Sequence, residues 1–174
     1  SIVRRCQGEE DRIVSVDQPA TGGEEFDRLL VEELLTSGTW KRAGEATDPR
    51  THIEDGTTGG AFARARLGRM AEQIKIELTT QEQVERSFPR VVTLTDGAEL
   101  SLDVLVTRER FEKFIQAKIV QTIACCQEAL SQVRSRGIDR VDFLLLVGGS
   151  SRIPLVRRRI EETFREAASH VEAM

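Results

Sequence analysis

Residues 141 to 164 constrain this chain more than any other stretch. Val141 to Val147 is a near-continuous apolar run of strand length, the pattern expected of a strand whose two faces are both covered by helices. Gly148-Gly149-Ser150-Ser151 then turns the chain, and Pro154 opens a helix that reaches about Phe164. Proline suits that place because the first-turn amide has no intrahelical partner to lose. A strand, a glycine turn and a helix in that order belong to an α/β architecture, in which ligands sit at the carboxyl ends of strands. The glycines let backbone approach a flat or charged ligand, and the helix start contributes N–H groups and positive potential. Ser150 and Ser151 add hydroxyls. The turn is therefore a candidate anion or nucleotide shelf, although such turns also occur with no ligand. The chain has no P-loop signature and no Gly-x-Gly-x-x-Gly fingerprint, so those two nucleotide folds are excluded on their own terms.

The rest of the chain alternates patterns. Ile2 to Cys6 and Arg12 to Asp17 read as a hairpin turning at Gly8, whose strands have no other sheet to complete unless they pair with Val141 to Val147. Phe26, Leu29, Leu30, Leu34 and Leu35 mark a helix over 24–35, stopped by Gly38. Residues 44 to 60 read as a surface loop. A second helix, Phe62 to Leu78, carries the core stripe Leu67, Met70, Ala71, Ile74 and Leu78. Gln83 to Phe88, Val91 to Leu94 and Glu99 to Leu105 read as strands, with Asp96-Gly97 as a hairpin signal and Pro89 limiting the first. Thr107 is an N-cap candidate for a long helix to about Arg136, ended by Gly137. No internal repeat is visible.

Composition narrows the functional classes. A chain of 174 residues can hold one domain or two small packed subdomains. Its 25 basic and 29 acidic residues are intermixed, which argues against a nucleic-acid footprint. Arg157, Arg158 and Arg159 fan around a helix turn as a solvated face. No apolar run approaches the roughly eighteen residues that cross a bilayer, and no signal-peptide pattern opens the chain. Cys125 and Cys126 are helix neighbours whose side chains diverge, no CxxC occurs, and His52 and His170 stand alone. A zinc site is therefore not expected, and reduced thiols fit a cytoplasmic protein.

The stretch Val141 to Pro154 resembles the DnaK-type, seventy-kilodalton heat-shock chaperone signature around Val-Gly-Gly-Ser-(Ser/Thr)-Arg-Ile-Pro. Three further segments match in order. Gly22-Gly23-Glu24-Glu25-Phe26-Asp27 is similar to the family's Gly-Gly-Glu-Asp-Phe-Asp, and Ala71 to Thr79 resembles the helix with its adenosine contacts. Thr107 to Glu112 is similar to the start of the long helix that follows. The resemblance implies lobe II of an actin-like ATPase, a mixed α/β (α+β) fold. Residues 23–116 would form an outer subdomain of helices with a small antiparallel sheet, and 1–22 with 117–174 part of an inner mixed-sheet subdomain.

Carried over by motif, Glu72, Lys75 and Thr79 would face the adenosine from the outer side, and Gly148, Gly149, Ser150 and Arg152 from the inner side. Helix geometry puts the three within about 60° of one another and away from the core stripe, which taken alone equally describes a solvated polar face; the motif match is what assigns them to the adenosine. Ile76 stands where some members place an adenine-stacking Arg, leaving apolar contact with the base. The family's lobe I and both phosphate loops have no counterpart in these residues, so no catalytic residue and no metal ligand is assigned. The resemblance implies ATP or ADP as ligand, with magnesium in the full-length parent. The parent would be an ATP hydrolase, whereas this chain alone is expected to be inactive and to bind nucleotide weakly. Implied partners are a nucleotide exchange factor, a co-chaperone, and unfolded clients held by a missing domain; no nucleic acid or membrane is implied. Two alternatives remain: a nucleotide-gated scaffold of a chaperone-like protein without a peptide-binding domain, and another actin-fold enzyme such as a small-molecule kinase.

Overall fold

The computed structural model describes residues 2–6, 9–14, 22–53, 58–135, 137, 141–165 and 168–173. The chain divides into two compact units, Glu24–Phe114 and the combination of Ser1–Gly23 with Ile115–Met174.

In the Glu24–Phe114 unit, helix α1 (Gly23–Ser37) opens with Glu24 and Glu25 in its first turn, where negative charge complements the helix dipole. Phe26, Leu30, Val31, Leu34 and Leu35 are buried along one stripe. The helix stops at Gly38, whose N–H bonds Leu34 O at 3.1 Å. A Cβ at Gly38 would lie 2.4 Å from Leu102 Cδ1 and 2.5 Å from Leu34 O, so only glycine fits that crossing of helix end and sheet. The buried Trp40 indole donates to the same Leu34 carbonyl at 3.0 Å, satisfying one of the helix's last acceptors.

Strands β3 (Thr39–Arg42) and β4 (Glu45–Ala46) form a hairpin, a correction to the loop expected from residue 44 onward. The turn is Ala43-Gly44, both at positive φ, and Trp40 is the one apolar residue in β3, so neither turn chemistry nor alternation marked the strands. A 3-10 turn at Pro49–Thr51 follows, capped by Asp48. Residues 54–57 of the expected loop lie outside the described residues. Helix α2 (Thr58–Glu77) begins four residues before Phe62, and Leu67, Met70, Ala71, Ile74 and, just beyond its end, Leu78 are buried as its stripe predicts.

Strand β5 (Gln83–Thr93) is one strand rather than two. It pairs antiparallel with β6 (Glu99–Thr107), but the register jumps between Phe88 and Val92, where Pro89 lacks an N–H and Arg90 takes a φ of 52°. The Asp96-Gly97 turn forms as expected, with Asp96 Oδ1 accepting from Ala98 N at 2.9 Å. The sheet order is β4-β3-β6-β5. Leu100, Leu102, Val104 and Val106 alternate into the core, while Asp103 takes a 2.7 Å bond from Lys41 Nζ on the open face. Thr107 Oγ1 accepts from Arg110 N at 3.2 Å and so caps α3 (Arg108–Arg134).

In the other unit, β1 (Ile2–Cys6) and β2 (Glu9–Val14) form an antiparallel two-stranded sheet of their own; the Gly8 turn and the Cys6 side chain lie outside the described residues. Strand β7 (Val141–Leu146) pairs in parallel with β8 (Ala168–Ala173), a strand the sequence reading lacked. Leu144 and Leu146 pack with Ile123, Cys126 and Leu130 of α3 and with Val156, Ile160 and Phe164 of α4 (Pro154–Phe164). Phe143, Leu145 and Val147 are 58%, 54% and 74% exposed. This overturns the expectation that helices cover both faces of β7: α3 and α4 pack against one side only. Burial raises the Cys126 thiol above its usual value.

Candidate functional site

The residues proposed for nucleotide contact fall into two groups, one in each unit. In the Glu24–Phe114 unit, Glu72 and Lys75 lie on the last turns of α2, and Thr79 lies in the turn after it. Glu72 is exposed and Thr79 half-buried, with its Oγ1 donating to Ile76 O at 2.7 Å. Lys75 departs from a freely solvated polar face. It is buried, and its Nζ donates 2.7 Å to Asp27 Oδ2 on α1. Next to it, the apolar side chain of Ile76 is 58% exposed.

Asp27, which accepts from Lys75, is a side chain that sequence reasoning passed over. It closes the Gly22–Asp27 motif, and that motif was the available signal. Burial raises its carboxyl above the ordinary value; the Lys75 hydrogen bond and charge pull the other way, and Glu72 and Glu24 add to the rise. Asp27 Oδ1 is buried and has no hydrogen-bond donor among the described residues. Asp27 and Glu72 also border a cavity of about 630 Å³ lined by α1 and α2, with Gly68 and Arg69 among its other walls.

The second group lies between β7 and α4. Gly148 has φ 99° and ψ 156°, a region essentially reserved for glycine. Residues Gly149–Arg152 form a 3-10 turn, and Ile153 precedes Pro154 as N-cap without a side-chain cap bond. The buried hydroxyl is that of Ser151, which donates to Gly148 O at 2.6 Å. Gly148, Gly149 and Arg152 are exposed and Ser150 half-buried. A Cβ at Gly148 or Gly149 would meet nothing within 4 Å, so open space lies over the bend. An exposed backbone bend that ends at the exposed Arg152 and leads into a helix start can receive a flat polar ligand. Among the described residues, no group of three or more His, Cys, Asp or Glu side chains is placed to hold a metal. No described helix is long and apolar enough to cross a membrane.

Helices with a small antiparallel sheet in one unit, and a strand, glycine bend and helix in the other, fit an α/β fold, and comparison with known proteins makes that specific. Residues 13–172 match the family model described as Hsp70 protein. The chain belongs to the Hsp70 family. It is 29% identical over 177 residues to the chaperone protein DnaK of Carsonella ruddii, covering 90% of this chain and 29% of that protein. It is 27% identical over 164 residues to the DnaK of Thermotoga petrophila, covering 94% and 26%. It is 33% identical over 148 residues to the mitochondrial heat shock 70 kDa protein of Pisum sativum, covering 85% and 20%. The chain thus spans less than a third of the length of these relatives.

Proposed function

We propose that this chain is lobe II of the ATP-binding domain of an Hsp70 chaperone, with 23–116 as its outer subdomain and 1–22 plus 117–174 as part of its inner one. In this reading Glu72, Lys75 and Thr79 meet the adenosine from one side, and Gly148, Gly149, Ser150 and Arg152 meet it from the other. The family match across residues 13–172 carries the reading, because it takes in both motif segments. The exposed Ile76 supports apolar contact with the purine, and the open space over Gly148 and Gly149 supports close backbone approach.

In the full-length protein this lobe would couple ATP binding and hydrolysis to folding of client proteins in the cytoplasm. An exchange factor would act on the outer subdomain. Phosphoryl transfer depends on phosphate loops, a cation and an oriented water, none of which these residues supply in this reading. The 174-residue chain by itself should bind ADP weakly and show no meaningful ATP turnover.

Calorimetric titration with ADP, repeated on Lys75→Ala and Arg152→Ala, tests the assignment. Weak binding that both substitutions reduce is the expected result. No binding, or binding indifferent to both changes, removes the nucleotide reading for this chain.

A further inference from the structure

The Asp27–Lys75 pair is poorly built for stability. Its side chains are 18% and 11% exposed, and they meet at 2.7 Å across α1 and α2. A buried ion pair offsets its desolvation only when its geometry is excellent and the remaining lone pairs find donors. Asp27 fails the second condition, because Oδ1 is buried without a donor among the described residues. Glu24 on α1 and Glu72 on α2 add like charge to the same carboxyl. What the pair does supply is direction. A lysine ammonium rides on a flexible four-carbon stem, and a short bond to a carboxylate on a neighbouring helix fixes where it points.

We propose that Asp27 is a positioning residue for nucleotide binding: it anchors Lys75 Nζ at one place beside Glu72, so that the ammonium meets the ligand pre-oriented. This rests on the nucleotide reading above. Asp27 touches Lys75 and not the ligand. The anchoring requires the carboxylate form, so protonating Asp27 releases Lys75. Preorganisation of this kind appears in affinity rather than in the stability of the fold.

The test measures ADP affinity by calorimetry and stability by urea unfolding followed by circular dichroism, on the whole chain. Lys75→Met should weaken ADP binding. Asp27→Asn should weaken it about tenfold, the size of one charge-assisted hydrogen bond. Asp27→Glu keeps the charge but moves the anchor by one methylene; it should keep the urea midpoint and still lose affinity. Asp27→Leu combined with Lys75→Met should bind no worse than Lys75→Met alone, with a midpoint at or above that of the unsubstituted chain. Affinity of the unsubstituted chain should fall on acidification through the raised Asp27 pKa, a limb absent from Lys75→Met. Should Asp27→Asn fail to fold, Asp27→Glu decides. If Lys75→Met weakens binding while Asp27→Glu and Asp27→Asn do not, the positioning role is overturned and the nucleotide reading stands. If Lys75→Met leaves affinity unchanged, both fall. A marked loss of stability in the double variant makes the pair structural and overturns the proposal.

Discussion

The Ser151 hydroxyl donates to the Gly148 carbonyl at 2.6 Å, so the bend after β7 is closed by one of its own side chains. Gly148 makes that closure possible at φ 99° and ψ 156°. Gly148→Ala should therefore destabilise the turn by about 1–3 kcal/mol, the cost of a side chain in a sparsely allowed region. Ser151→Ala should cost about 1 kcal/mol, and Ser150→Ala close to nothing. Urea unfolding of the three variants checks the order; equal midpoints for Gly148→Ala and the unsubstituted chain would contradict it.

At Gly38 the limit is space rather than dihedral angle. A methyl there runs into Leu102 Cδ1 and the Leu34 carbonyl, and the carbonyl belongs to a helix end that has little room to shift. Gly38→Ala should cost about 1–3 kcal/mol as an overpacking change. A melting temperature unchanged by the substitution would mean that α1 and β6 part more easily than their contact suggests.

Two phenylalanines separate the covered and open sides of β7 and its neighbours. Phe164 is 2% exposed and Phe143 is 58% exposed. Phe164→Ala should lose about 3–5 kcal/mol, while Phe143→Ser should stay within about 0.5 kcal/mol. Parallel thermal melts of the two variants measure this, and comparable losses would show that the Phe143 side is covered in solution.

The raised pKa of Asp27 gives a pH dependence of definite sign. The folded chain binds this proton more readily than the unfolded chain does, so the contribution of Asp27 favours folding at low pH and is lost as pH rises through its folded value. Asp96 and Asp103 act oppositely. Backbone hydrogen bonding at Ala98 lowers the first, and the bonds from Lys41 and Ser87 lower the second, so their contributions are present above the ordinary carboxylate value and fade in acid. Comparing the chain with Asp27→Asn isolates the first effect, since Asn resembles the protonated acid. The stability of the unsubstituted chain relative to Asp27→Asn should fall as pH rises from about 3.8 toward neutral. A relative gain over that range would refute the sign.

Much of the architecture was legible because it rests on local chemistry. The Thr107 cap, the Asp96-Gly97 hairpin, the stripe of α2 and the Pro154 helix start each follow from a few residues whose preferences agree with the fold. The failures have equally local causes. The Ala43-Gly44 turn lacks the usual Asn or Asp, Pro89 made one irregular strand resemble two, and the apolar run of β7 carries no mark of which side is covered. The partner of Lys75 was harder still. Asp27 lies 48 residues away in sequence, and no periodicity on either helix announces a bond between them.

Trp40 has a practical consequence. The chain contains one tryptophan and no tyrosine, and that indole is sealed within the Glu24–Phe114 unit. Ultraviolet emission therefore watches that unit alone, and an emission curve displaced from the calorimetric one would time the two halves of the chain separately, without any label.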